Sequence, residues 1–356
     1  MQKERKPMSN IAILTSGGDS PGMNAAVMSV ARNAAYYKMP LIGIKRGFNG
    51  LLGRSENPDD DFERLSLDTV LDIADLPGTH LRTARCSEFL DPAVRENAAR
   101  ILRKLDVSGL VVIGGNGSFT GAMRLCELGI PCIGIPGTID NDLPYTEMTL
   151  GYDTAVNVCV DAVRAIRATS RSHDRPHVVE VMGRDCGDIA LATAEATGSE
   201  IVVVPEVKWK VDDVAAQLNR QIEMGNTRAT VVVAEGCWKS MAPFDVYKFL
   251  KPYGKEVYPG EPMTAYRFAS VLKRKCGMVE ARHTVIGYTQ RGCSPTARDS
   301  MFAFEAGAMA VQMLKEGIGN QVIGVKNGRT FHMPIEKALA EKRRFNKKLF
   351  NLINAL

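Results

Sequence analysis

Asp140 and Asp142 stand two residues apart in Pro136-Gly137-Thr138-Ile139-Asp140-Asn141-Asp142, directly after the apolar run Ile133-Gly134-Ile135. Two carboxylates at a strand end can divide a task. One holds a hard divalent cation such as magnesium, and the other takes a proton from an attacking hydroxyl. Two glycine-rich turns bear on the same chemistry. Thr15-Ser16-Gly17-Gly18-Asp19-Ser20-Pro21-Gly22 leaves one apolar run and enters a helical pattern at Met23; Gly114-Gly115-Asn116-Gly117-Ser118 follows Val111-Val112-Ile113 in the same way. Paired glycines let backbone N–H groups approach a phosphate, and a following helix adds its positive dipole end. Such a turn equally serves tight packing of helix on strand. The carboxylate loop tips the reading toward phosphoryl transfer. No G-x-x-x-x-G-K-[ST] P-loop occurs. The dinucleotide fingerprint is incomplete, because Thr120 stands where its last glycine belongs, which disfavours a nicotinamide dehydrogenase.

Arg85, Arg175, Arg184, Arg282 and Arg291 each sit by a small residue or an expected strand end. A guanidinium grips phosphate through two donors at once. Any one of the five could equally form a surface ion pair; the set suits an anionic substrate.

The elements that must position these residues alternate along the chain. Ile11–Thr15, Leu41–Lys45, Gly109–Ile113, Cys132–Ile135, His177–Val181, Ile201–Val204, Thr230–Ala234, Thr284–Tyr288 and Val322–Val325 read as buried strands. Helical patterns cover Met23–Lys38, Pro92–Leu105, Thr120–Leu128, Ala155–Arg171, Asp188–Thr197, Asp212–Met224 and Arg298–Lys315. The alternation predicts an α/β protein of two βαβ-type domains with largely parallel sheets, since nine strands near the practical limit for one sheet. A boundary is expected near Gly151. Cys237–Pro262, rich in proline, reads as an inserted surface excursion, and Lys337–Lys348 as part of a terminal helix with a solvated basic face carrying Phe345, Leu349, Leu352 and Leu356.

Composition narrows the classes. With 45% hydrophobic and 24% charged residues the 356-residue chain looks globular, and no apolar run approaches a membrane span. The charged start MQKERKPMSN leads into too short an apolar stretch for a signal peptide, so a cytoplasmic location is expected. A net charge of +5 is too diffuse to argue for nucleic acid. The eight cysteines include no C-x-x-C pair and no zinc-type spacing, so reduced, structural thiols are expected. His173 and His177 have the spacing of a helical metal pair, but Pro176 argues against a continuous helix there.

Taken in order, LTSGGDSPGMNAA, TARCSEF, VVIGGNGSFTGA, GIPGTIDNDL, SRSHDRPHVVEVMGR, EIVVVPE and QRGCSP resemble the phosphofructokinase family over roughly residues 9–328, closest to its bacterial ATP-dependent members. The resemblance implies transfer of the ATP γ-phosphate to the 1-hydroxyl of fructose 6-phosphate, in glycolysis, with Mg2+ and an active site in the cleft between the domains. Asp140 then matches the general base, with Thr138 and Arg184 completing the catalytic set. Gly18, Arg85, Cys86, Gly115, Asn116, Gly117 and Ser118 match nucleotide-binding positions. Thr138, Ile139, Met182, Gly183, Glu235, Tyr288 and Arg291 match positions around the sugar phosphate; Asn116 and Asp142 match the metal positions. Arg175 and Arg282 match arginines that reach the sugar phosphate from a neighbouring subunit, which implies a homotetramer. Residues 1–151 with about 290–340 would bind nucleotide; about 152–289 with 341–356 would bind sugar phosphate and effector. Glycine at 117 and 137 goes with ATP in the family, where pyrophosphate users typically carry aspartate and lysine.

The chain departs from the pattern in places. Asn116 replaces an aspartate that serves magnesium, and Tyr288 replaces a histidine at the sugar 6-phosphate. Arg32, Arg167 and Glu200 match an effector site, but Met28, Asn226 and Thr227 stand where basic residues are common. Alternatives are therefore a pyrophosphate-dependent or other sugar-phosphate kinase of the family, or a catalytically weak regulatory paralogue.

Overall fold

The apolar runs become strands covered on both faces. The structure, a computed structural model, describes residues 9–254, 257–278, 280–343 and 345–355; the charged segment 1–8 and Leu356 lie outside them. Its strands are β1 (Asn10–Thr15), β2 (Leu41–Ile44), β3 (Phe62–Leu65), β4 (Val107–Gly114), β5 (Cys132–Pro136), β6 (His177–Val181), β7 (Ile201–Val203), β8 (Thr230–Ala234), β9 (Arg282–Val285), β10 (Gln321–Lys326) and β11 (Arg329–Pro334). The chain divides into two units. One takes in the described residues up to Ile139, Leu143–Thr154 and Arg291–Arg343; the other takes in Asp140–Asp142, Ala155–Gln290 and the described C-terminal residues.

The first unit holds a seven-stranded sheet in the order β11-β10-β5-β4-β1-β2-β3. Its five inner strands are parallel, and β3 and β11 pair antiparallel at the two edges. Alternation along each strand sorts side chains to two cores. Ile11, Ile13, Val111, Ile113, Ile133 and Ile135 face one that includes Val27 and Ala306, from the helices Met23–Tyr36 and Ala297–Lys315. Ala12, Leu14, Leu110, Val112 and Cys132 face the other, with Leu102 and Phe119 from Pro92–Lys104 and Asn116–Glu127. The sequence reading missed β3 and β11 because both are edge strands with half-exposed, mixed side chains, FERL and RTFHMP, and no continuous apolar run.

The second unit holds a parallel sheet in the order β7-β8-β6-β9. The strand expected over Thr284–Tyr288 is instead β9: its last residue is Val285, Gly287 adopts φ +56°, and a 3-10 turn follows over Gly287–Arg291. The Cys237–Pro262 excursion needs a larger correction. It forms the short helices Cys237–Ser240 and Val246–Leu250 and buries Cys237, Val246 and Leu250 in the core of this unit. Trp238 packs edge-on against Phe268 at 5.6 Å, and Trp209 does so at 5.2 Å. Phe268 belongs to Ala265–Lys275, a helix the sequence reading missed, which Thr264 caps. Isolated apolar residues between prolines show no period, so their burial is decided by tertiary contact.

Other boundaries moved. The helix Tyr152–His173 ends at Asp174, whose φ is +48°, so His173 and His177 share no helix; His177 opens β6 and bonds Thr284 Oγ1 at 2.8 Å. Within the described residues, the expected terminal helix is two short ones, Ile335–Ala340 and Lys347–Ile353. None of the eight cysteines forms a disulfide, and burial pushes the Cys159 thiol up to about 12. Among the described residues, no helix is long and apolar enough to cross a membrane.

Candidate active site

In each sheet the chain leaves one strand toward one side and a neighbouring strand toward the other. Ligands bind at the C-terminal ends of strands at such switch points. In the first unit the switch lies between β1 and β4, and the two glycine turns are the segments that leave them. In the second it lies between β6 and β8, and the turns leaving those strands carry Arg184 and Glu235.

The first turn and Gly114 approach closely. The N–H of Ser16 donates to the Ile113 carbonyl at 2.9 Å, and a Cβ on Gly114 would come within 2.6 Å of the Ser16 carbonyl oxygen. The Arg82–Cys86 segment closes over the turn, with Thr15 Oγ1 donating to the Arg82 carbonyl at 2.8 Å and Thr83 Oγ1 to that of Gly17 at 3.0 Å. The helices Met23–Tyr36 and Asn116–Glu127 start from Gly22 and Gly115, with no side-chain cap and no acidic residue in the first turn. Their dipole ends favour an anion, although the Met23 N–H already donates to the Ser20 carbonyl at 3.2 Å. Asn116, Gly117 and Ser118 therefore form the first helical turn, where a loop was expected with the helix beginning at Thr120. Asn116 and Gly117 are exposed, as is Arg85; Cys86 is half-buried.

The two donor-choice glycines are not equivalent. Nothing lies within 4 Å of a Cβ built on Gly117, whereas one on Gly137 would meet Ile113 Cγ2 and Met23 Cε at 2.8 Å. Glycine at 137 thus has a packing reason of its own. Arg291 also belongs to this unit. Its guanidinium donates to the Asp19 carbonyl, and a Cβ on Gly18 would come 3.1 Å from its Nη1.

Asp140–Asp142 group with the second unit. Asp140 is 4% exposed, and its Oδ2 lies 3.5 Å from Arg184 Nε. Thr138 and Asp142 are half-buried, and Ile139 is fully buried, backbone and side chain alike, so it presents no surface to a ligand. The Asn141 amide donates to Asp188 Oδ2 at 3.2 Å, with Asn141 at φ +51°. The turn after β6 is tightly determined. Gly183 has φ +127°, and any Cβ there would sit 2.4 Å from the Cys186 carbonyl oxygen. Arg184 follows at φ +52°, and its N–H donates to Glu235 Oε1 at 2.9 Å. The N–H of Met182 donates to Gln290 Oε1 at 3.3 Å, and Gln290 is wholly buried. Gln290 and Asp188 had no periodicity or pairing to single them out in the sequence.

Arg175 and Arg282 come together at the N-terminal end of β6 and β9, both on the carboxylate of Glu280. That is the end of β6 opposite Arg184, about 13 Å away along the strand alone. Tyr288 lies in the 3-10 turn, 81% exposed. Of the effector candidates, Arg167 donates to Glu200 Oε1 at 3.0 Å and to the Thr197 and Gly198 carbonyls that end the helix Asp188–Thr197; Arg32 belongs to the other unit, over the Phe304 ring.

Asp142 offers hard carboxylate oxygens two residues from Asp140, a donor type that suits Mg2+ with retained waters. Among the described residues, Cys186, Asp188 and Glu206 also bring ligand atoms within 4.8 Å of one another. Their carboxylates are engaged with Asn141 and with the Gly187 N–H.

A profile described as phosphofructokinase matches residues 10–314. The chain is 43% identical over 349 residues to the ATP-dependent 6-phosphofructokinase of Bacillus cytotoxicus, covering 98% of this chain and 99% of that one. It is 42% identical over the same length to that of Clostridioides difficile, with the same coverage. Pichia pastoris phosphofructokinase, solved in the T-state, superposes with a TM-score of 0.82 at 31% identity over 96% of this chain. The chain spans only 36% of that yeast protein's length, and 46% of the Saccharomyces cerevisiae phosphofructokinase chain. The pyrophosphate-dependent phosphofructokinase of Marinobacter aquaeolei shares the fold, with a TM-score of 0.78 at 20% identity, covering 96% of this chain and 86% of that one. With its two α/β units and its loaded switch points, the chain belongs to the phosphofructokinase family.

Proposed function

We propose that this protein is an ATP-dependent 6-phosphofructokinase, transferring the γ-phosphate of ATP to the 1-hydroxyl of fructose 6-phosphate. The observation that carries the reading is the buried Asp140 carboxylate held 3.5 Å from Arg184. A general base and a fixed positive charge side by side are what attack by a hydroxyl on a phosphate requires. Asp140 accepts the proton of the 1-hydroxyl. Arg184 stabilises charge on the phosphoryl oxygens as the bond to the leaving phosphate opens.

The nucleotide falls to the first unit. N–H groups of Gly18 and of the helical turn Gly115–Ser118 receive its phosphates, while Arg85 and Cys86 flank it. The sugar falls to the second, where Met182, Gly183 and Glu235 border the β6–β8 switch. Asp142 would hold Mg2+ with water, a cation that would offset phosphate charge when bound, and Asn116 is the further metal position that the family resemblance assigns.

We further propose a cytoplasmic homotetramer with shared active sites. Arg175 and Arg282 sit at the end of β6 opposite Arg184, a separation that favours a role away from the Arg184 site of their own chain. They would serve a neighbouring copy. Open space at Gly117 supports ATP as donor.

The test is a coupled assay with fructose 6-phosphate and Mg2+, run in parallel with ATP and with pyrophosphate. ATP is expected to support turnover, and Asp140→Asn to lower kcat by roughly a hundredfold or more. Turnover with pyrophosphate alone would reassign the donor. No turnover at high Mg2+ with retained nucleotide binding would favour the regulatory paralogue that Asn116 suggests.

A further inference from the structure

Glu280 stands between the two arginines assigned to the sugar phosphate. Its Oε2 accepts from Arg175 Nη1, and its Oε1 lies 2.6 Å from Arg282 Nη2. The arginines are brought together by the sheet: Arg282 opens β9 in register with His177, and its N–H donates to the Pro176 carbonyl at 3.1 Å. A carboxylate that gives one oxygen to each guanidinium presents to them two of the three oxygens of a phosphate monoester.

We propose that Glu280 is an intramolecular competitor for the sugar phosphate, occupying the Arg175–Arg282 pair until the substrate displaces it and so setting acceptor affinity. The inference rests on the reading of Arg175 and Arg282 as phosphate-binding residues. Charge gives the sign. Two guanidiniums and one carboxylate leave the cluster one positive charge, and removing the carboxylate doubles it while freeing the donors that phosphate needs. The arginines depress the Glu280 carboxyl below its ordinary range, so at neutral pH it is the charged form that competes. Solvent keeps the effect modest, since the side chains of Glu280 and Arg282 are 36% and 54% exposed.

Steady-state kinetics of the full chain, with fructose 6-phosphate varied at saturating ATP, test this. Arg282→Gln is expected to raise the KM for fructose 6-phosphate roughly fivefold or more, because a charge-assisted phosphate contact is lost. Glu280→Gln is expected to lower it roughly two- to fivefold with kcat little changed. Glu280→Asp, which keeps the charge, stays nearer the wild type, and Glu280→Ala repeats the Gln result should that variant fold poorly. A raised or unchanged KM in Glu280→Gln and Glu280→Ala, with Arg282→Gln impaired, overturns the proposal and leaves the phosphate reading standing. An Arg282→Gln enzyme with unchanged KM sinks the phosphate reading itself, and the competitor with it.

Discussion

The backbone N–H of Arg184 donates to Glu235 Oε1 at 2.9 Å, linking the turn after β6 to the end of β8. Arg184 needs that anchor. Its φ of +52° is a conformation that costs a side-chain-bearing residue energy, and its carbonyl lies where a Cβ on Gly236 would intrude to 1.9 Å. Held so, its guanidinium reaches Asp140. Glu235→Ala is expected to cut kcat roughly ten- to a hundredfold, the worth of a hydrogen bond to a charged acceptor. Glu235→Gln, which keeps an acceptor oxygen, should recover most of the kcat even if the KM for the sugar stays high. Equal kcat losses in both variants would count against positioning.

Gly117 and Gly137 should separate in one pair of alanine variants. Gly137→Ala forces a methyl against Ile113 and Met23, and overpacking of this kind costs about 1–3 kcal/mol, read as a lower denaturant midpoint. Gly117→Ala meets open space in the first turn of a helix, where alanine is no worse a helix former. Its stability should hold while the KM for ATP rises.

Asn116 is exposed at the first position of its helix and carries no charge to offer a metal. Asn116→Asp is expected to lower the Mg2+ concentration giving half-maximal rate, because a carboxylate binds a hard cation more strongly than an amide carbonyl. Titrating the rate with Mg2+ at fixed ATP checks this. An unchanged Mg2+ curve and unchanged turnover would remove Asn116 from the metal.

His177 gives the fold a pH dependence. Burial, with Arg175 and Arg282 nearby, lowers its pKa from about 6.5 to about 4. Between those values the unfolded chain binds the proton and the folded chain does not. Stability is therefore full above about pH 6.5 and declines as pH falls toward 4, by at most roughly 2 kcal/mol at pH 5 from this group. Chemical denaturation at pH 7.5 and 5.0 should show a smaller acid loss in His177→Gln than in the wild type, whatever that variant's stability at neutral pH.

Much of this was legible in the amino-acid order. The inner strands are continuous apolar runs because both faces are covered, and such runs declare themselves. The glycine turns, the Asp140–Asp142 pair and the arginines were visible because their residue types are chemically specific at short range. Long-range contacts were not. β3 and β11 show no period because edge strands are half solvated, and Trp238 and Phe268, thirty residues apart, reveal nothing of their packing until the chain brings them together. Asp140 could be named from its loop; that Arg184 is its neighbour, anchored by Glu235, depends on β6 and β8 lying side by side. Sequence alone determined which groups could do the chemistry, since that is a property of side chains. Only the tertiary structure decided which groups meet, including Glu280 with its two arginines, because pairing across a sheet is set by strand order and register.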